Sequence, residues 1–146
     1  MKIQTKYHGE IEVHKTDIWH FQNGLPGFPD EKQFVQLPLD ENNIFHILQS
    51  IQTPYVGFVN VNPFNYLPTY NFKIDDQTLD QLGLEDEKDV LVFSILNVKK
   101  PFSKTTANLQ APLIFNIRNR QAKQMVLNDS VYHTKHLLFL KEQVKG

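Results

Sequence analysis

Strand-length apolar runs, most of them cut short by glycine, proline or asparagine, constrain this chain more than any other feature. Ile3, Thr5 and Tyr7 alternate with Lys2, Gln4 and Lys6, and Ile11 and Val13 resume the pattern after His8-Gly9. Period-two alternation is the mark of a strand with one wet face. A two-residue turn at His8-Gly9 would let both segments pair as a hairpin, because glycine accepts positive φ. Ile18–Phe21, Phe34–Leu37, Ile44–Leu48 and Tyr55–Val61 read as further strands, the last ended by Asn62-Pro63. Val90–Leu96 is apolar on both faces apart from Ser94, which predicts a buried central strand. Leu113–Ile117 puts Leu113, Phe115 and Ile117 on one face and Asn116 on the other. Gln121–Leu127 is its natural antiparallel partner through Arg118-Asn119-Arg120. Lys135–Val144 fits a strand or a short helix equally well.

One segment breaks the rule. Asp75 to Leu84 carries an N-cap candidate in Asp75 or Asp76, Leu79 and Leu82 three apart, and a stop at Gly83. That predicts a short helix. Many short antiparallel strands with one or two short helices predict an all-β fold, a small closed or partly open β-barrel. Eleven phenylalanines suit such an interior. At 146 residues the chain reads as a single domain, residues 1–146. A chain of that size buries roughly 70% of the surface its unfolded form exposes, enough for a core of its own.

Composition narrows the chemistry. There is no cysteine, so disulfides, thiolate catalysis and thiolate-bound zinc are excluded, and a reducing cytoplasm is the simplest expectation. The N-terminal residues are polar and alternating, unlike a signal peptide. No run approaches the roughly 20 apolar residues that span a bilayer, so no membrane is expected. His133 and His136 are three apart, and His8, His14, His20 and His46 are scattered, without the matched spacing of a zinc site. Ser50, Ser94, Ser103 and Ser130 lie outside any nucleophile elbow. The glycines are too dispersed to cradle a phosphate. Neither enzyme, metal nor cofactor is therefore expected.

Charge is segregated. Asp75, Asp76, Asp80, Glu85, Asp86, Glu87 and Asp89 face Lys88 alone in one stretch. Lys99, Lys100, Lys104, Arg118, Arg120 and Lys123 follow. The net charge of -1 conceals this dipole and argues against direct nucleic-acid binding by the whole protein. Each run reads as an ordinary solvated face or as a field that steers or repels charged partners. The turn Gly24-Leu25-Pro26-Gly27-Phe28 has two readings as well. As structure, Phe28 plugs the core; as function, Leu25 is presented outward. The first is preferred, since a phenylalanine beside a turn is usually buried.

Read together, these elements resemble the flagellar assembly factor family, FliW. The resemblance rests on Phe21 with Gly24-Leu25-Pro26-Gly27-Phe28, Leu48-Gln49-Ser50, the stretch Asn108-Leu109-Gln110-Ala111-Pro112-Leu113-Ile114-Phe115-Asn116, and Ala122-Lys123-Gln124-Met125-Val126-Leu127. They occur in the family's order along nearly the whole chain. His136-Leu137 departs from the Arg-His-Pro type of sequence expected near the end. The resemblance implies a cytoplasmic, non-enzymatic β-barrel. It implies binding of newly made flagellin, and of the RNA-binding translational repressor carbon storage regulator A (CsrA), with the two partners exchanging. Leu25, Phe28, Asn108 and Asn116 are then candidate protein-binding residues. The acidic residues from Asp75 to Asp89 are candidates for repelling RNA from the repressor. Flagellin is expected to lay an amphipathic terminal helix into an apolar groove or along a barrel edge. The chain is expected to be a monomer on its own. The competing reading is a small nucleic-acid-binding barrel, which needs exposed aromatics interleaved with lysine or arginine.

Overall fold

A computed structural model describes residues 1–128 and 131–139 of the chain. Eleven short strands dominate it. They are β1 (Lys2–Gln4), β2 (Glu10–Glu12), β3 (Trp19–Phe21), β4 (Gln33–Pro38), β5 (Phe45–Ser50), β6 (Gly57–Val61), β7 (Val90–Asn97), β8 (Thr106–Ala107), β9 (Leu113–Asn116), β10 (Gln121–Gln124) and β11 (His136–Leu137). One α-helix, α1 (Asp76–Leu82), joins them with a few single 3₁₀ turns.

Strands β3, β4, β5, β6, β7, β9 and β10 form a closed barrel, in that order. All neighbours pair antiparallel except β10 and β3, which run parallel through Gln121↔His20 and Ala122↔Phe21. An odd ring of strands cannot alternate direction all the way round, so one parallel seam is a geometric necessity. Closure leaves the ring without an open edge, which suits strands this short. β8 and β11 extend the sheet from the far end of β7.

Alternate residues of each barrel strand point inward. Trp19, Phe21, Phe34, Leu48, Leu113, Phe115 and Ala122 fill the interior, with Phe58, Phe93 and Ile95 packed against them. Edge-to-face contacts knit the rings: Trp19 to Phe115 at 4.8 Å, Phe21 to Phe34 at 5.3 Å and Phe93 to Phe115 at 5.7 Å. The outward residues are covered separately. The β1–β2 hairpin brings Ile3, Ile11 and Val13 onto Val35 and Leu37. The segment after β6 brings Tyr70 onto Val61 and Leu96. Helix α1 and the residues after β10 bring Leu82, Leu84, Met125 and Leu127 onto Ile114.

Several expectations need correction. The β1–β2 connection is five residues, 5–9, because Gln4 pairs with Glu10. Gly9 does take the positive φ, +66°, and Thr5 closes the loop onto its carbonyl, which makes room for a wider turn. β7 is central in its pairing with β6, β8 and β9, but Leu91 is 41% exposed. β9 is the strand buried on both faces, between the barrel interior and α1. Ile117 lies beyond its end and is exposed. The C-terminal element is β11, and the remainder of the predicted Lys135–Val144 segment, from 140, lies outside the described residues, as does Ser130.

Candidate docking groove

The helix predicted from Asp75 to Leu84 forms as read. The Asp75 carboxylate accepts from the Thr78 backbone N–H at 2.7 Å, and this hydrogen bonding with Thr78 holds the Asp75 carboxyl below the usual carboxylate range. Gly83 ends the helix in the left-handed region at φ +64°. The barrel then grips the helix end. Asn116 Nδ2 donates to the carbonyls of Leu82, 2.8 Å, and Gly83, 3.3 Å. Its Oδ1 accepts from Arg118 N at 2.9 Å, so both ends of the buried amide are used. Asn119 adds a second bond to the Leu82 carbonyl at 2.9 Å.

The fixed helix is one wall of a groove of about 660 Å³ on the outside of the barrel. Leu79 and Leu84 supply that wall, Val90 and Val92 of β7 the floor, and Phe64, Tyr70, Phe72 and Ile74 the facing wall. Tyr70 anchors the facing wall. Its hydroxyl donates to the Leu109 carbonyl at 2.6 Å, and its ring meets Tyr132 at 4.7 Å, Phe72 at 5.2 Å and Phe64 at 5.5 Å. Burial, and then the neighbouring Tyr132, push the Tyr70 phenol well up, so it stays a donor.

Glu85, Asp86 and Glu87 line the same groove. Asp86 Oδ1 accepts from Lys88 N at 3.0 Å, which shapes the turn that carries them. Arg118 lies 3.6 Å from Glu85 and 3.8 Å from Asp89, while Asp86 pairs with Lys88 at 3.7 Å. Asp76, Asp80 and Glu87 have no ion pair among the described residues. Of the acidic run, Glu85, Asp86 and Glu87 line the apolar cleft, against Lys73 in the same lining.

The other predicted residues fall elsewhere. Leu25 is buried in the barrel interior, and Phe28 is 38% exposed, its ring edge-on to Phe58 at 5.2 Å. The expected orientation of that turn is thus reversed. Gly24, at φ +66°, and Gly27, at φ +82°, wind Leu25-Pro26-Gly27-Phe28 into a turn closed by paired Leu25–Phe28 hydrogen bonds. That geometry sends Leu25 inward. Asn108 accepts from Ala111 N at 3.0 Å and shapes the approach to β9. Neither asparagine lines the groove. Phe64, Tyr70, Phe72 and Ile74 were not singled out from the sequence. The signal available was the alternation of Tyr70, Phe72 and Ile74 with Asn71, Lys73 and Asp75 just before the helix cap.

The remaining candidates show no convergent chemistry. His133 and His136 stack at 6.5 Å, and no group of three potential metal ligands gathers among the described residues. Ser50 donates to Glu31, and its Oγ also accepts from Thr53 N. No helix of the described residues is long and apolar enough to cross a membrane.

A closed, mainly antiparallel barrel filled with aromatics, bearing an apolar groove on its outer face, is a scaffold organised around a surface cleft. The FliW protein family model matches residues 2–138. A flagellar assembly factor FliW from Geobacillus kaustophilus is 54% identical over 99% of this chain and 100% of its own length. One from Bacillus subtilis is 46% identical over 93% of this chain and 95% of its own. A crystal structure of the flagellar assembly factor FliW superposes with a TM-score of 0.93 at 51% identity, covering 98% of this chain and 100% of that one. The chain belongs to the FliW family of flagellar assembly factors.

Proposed function

We propose that this protein couples flagellin synthesis to flagellin export in the cytoplasm by binding two proteins in turn, as a monomer and without catalysis. Flagellin lays an amphipathic terminal helix into the cleft between α1 and the Phe64–Ile74 segment. The repressor CsrA binds when flagellin does not, and the acidic run repels RNA from it. When flagellin accumulates it takes the protein, the repressor is released, and synthesis stops.

One observation carries this reading: an apolar cleft and an acidic run share one wall, through Leu84, Glu85, Asp86 and Glu87. Apolar burial supplies affinity for a helix face. The carboxylates supply a field that opposes phosphates without covering them. The filled barrel favours this reading over a nucleic-acid barrel, because Phe21, Phe34 and Phe115 are buried and offer no stacking platform.

The test replaces Asp86 and Glu87 with serine. Serine keeps a hydroxyl to cap the turn at Asp86 while removing charge. The variant should displace RNA from CsrA less well while still binding flagellin, whose affinity rests on the apolar lining of Leu79, Leu84, Val90 and Val92 that it keeps. Undiminished displacement at low salt, where the field is least screened, would defeat the proposal.

A further inference from the structure

A second apolar surface lies apart from the cleft. Tyr7, Leu39, Phe45, Val59, Val98 and Phe102, with Asp40 among them, line a hollow of about 350 Å³. Tyr7 is 57%, Val98 49% and Phe102 42% exposed, and because they line one hollow they present a contiguous apolar patch to solvent. None of these residues lines the cleft beside α1.

The charges around the hollow have the opposite sign to those of the cleft. The loop that carries Val98 and Phe102 also carries Lys99, Lys100 and Lys104, all exposed. Lys6 sits over the Tyr7 ring, 5.6 Å from its centre. Against these four lysines stand Asp40 and Glu41. Asp40 is engaged locally, its Oδ1 accepting from Ile44 N at 3.0 Å and Phe45 N at 3.1 Å. The hollow is therefore mainly apolar, with four lysines near its lining residues in sequence against two carboxylates, of which Asp40 lies in the lining itself.

We propose that this surface docks an acidic segment of a partner protein through an apolar face. The inference does not depend on what occupies the cleft. Apolar contact at the centre supplies affinity, and the ammonium groups select carboxylates at the edge. The chain's own residues 140–146 have the wrong charge, with Lys141 and Lys145 against Glu142. Successive bases of a nucleic acid would find no run of stacking platforms, since Tyr7, though exposed, lies beneath Lys6 and Phe102 is packed. Phe102 is engaged edge-on with Phe45 at 5.5 Å and with Phe139 at 5.4 Å.

The test titrates the full-length protein into a fluorescein-labelled synthetic helical peptide with a leucine stripe and a glutamate polar face, and into its lysine counterpart. The glutamate peptide should bind, with affinity falling about tenfold in Lys99→Glu/Lys104→Glu and in Phe102→Ser. Leu84→Asp, in the other groove, should leave it unchanged. High salt should weaken it further. Equal binding of the lysine peptide, or indifference to Lys99→Glu/Lys104→Glu, overturns the proposal. So does competition by single-stranded RNA. Self-association abolished by Phe102→Ser would show that a second copy is the occupant and overturn it. Tighter peptide binding in Leu140→Ser/Val144→Ser would show that the chain's own C-terminus is, with the same consequence. Thermal melting of each variant separates lost binding from lost fold, and the lysine changes, being exposed, keep the test open if Phe102→Ser unfolds.

Discussion

Replacing Asn116 with alanine removes the clamp that holds α1 to the barrel. The buried amide satisfies the Leu82 and Gly83 carbonyls and the Arg118 N–H. Leu82 keeps a partner in Asn119, so two backbone groups, Gly83 O and Arg118 N, lose theirs. Gly83 and Arg118 are exposed residues whose freed groups can turn to water, so each lost bond is worth about 0.5–1.5 kcal/mol and the expected loss is about 1–3 kcal/mol. For a chain of this length that is a fall in Tm of about 3–10 °C. Urea unfolding, followed by far-ultraviolet circular dichroism and by the fluorescence of the single tryptophan, Trp19, measures it. Trp19 packs on Phe115, next to Asn116, and lies under Arg120 at 3.6 Å, so its fluorescence reports on the β9–β10 turn while circular dichroism reports on the fold. Asn116→Asp is the sharper probe. It keeps the acceptor for Arg118 but turns a carboxylate oxygen toward the Leu82 carbonyl, so its penalty should shrink in acid, where a protonated carboxyl can donate again. Asn116 and Asn119 share one acceptor, so Asn116→Ala/Asn119→Ala should cost more than the two single changes added. A loss for Asn116→Ala within about 0.5 kcal/mol of zero would refute the clamp.

Three further outcomes are expected. Gly24→Ala should cost more than the left-handed backbone alone, about 1–2 kcal/mol, because a Cβ there would sit 2.4 Å from the Phe28 carbonyl oxygen. Gly27→Ala has open space and should cost only the backbone share, a contrast that chemical denaturation resolves. Asp75→Ala should lose about 1 kcal/mol by removing the helix cap, with the loss fading as pH falls through the lowered folded pKa of Asp75, where the carboxylate is protonated in wild type too. Burial holds the His46 imidazole below its usual range, so the unfolded chain takes up that proton first. Stability should therefore decline as pH falls below the ordinary histidine value toward the folded one, and His46→Gln should flatten that part of the pH profile.

Local signals located most of the strands and the helix. Asp75 and Gly83 bracket α1 because capping chemistry acts within a few residues. β9 and β10 were legible as a hairpin because Arg118-Asn119-Arg120 is short and both flanks are apolar or amphipathic. What escaped was decided by distant contacts. The burial of Leu25 and exposure of Phe28 follow from how one tight turn meets the barrel mouth, and both side chains look alike in sequence. Leu91 looks as buried as Phe93 in sequence, yet only Phe93 packs into the interior. The cleft joins residues from 64 to 92 in chain order; Tyr70, Phe72 and Ile74 do alternate with polar neighbours, but that their segment stays out of the sheet and lines a cleft with α1 is decided by distant contacts. Asn116 drew notice as part of a family-like stretch, but its place beneath α1 emerges only when strand and helix are brought together.

The account stands or falls on what enters the cleft between α1 and the Phe64–Ile74 segment. Isothermal titration of purified flagellin into the wild-type protein and into Leu84→Asp measures it directly, with the melting temperature of the variant confirming its fold. The account predicts one flagellin per chain for wild type and at least a tenfold weaker affinity for the variant. Full affinity in a folded Leu84→Asp protein would contradict it.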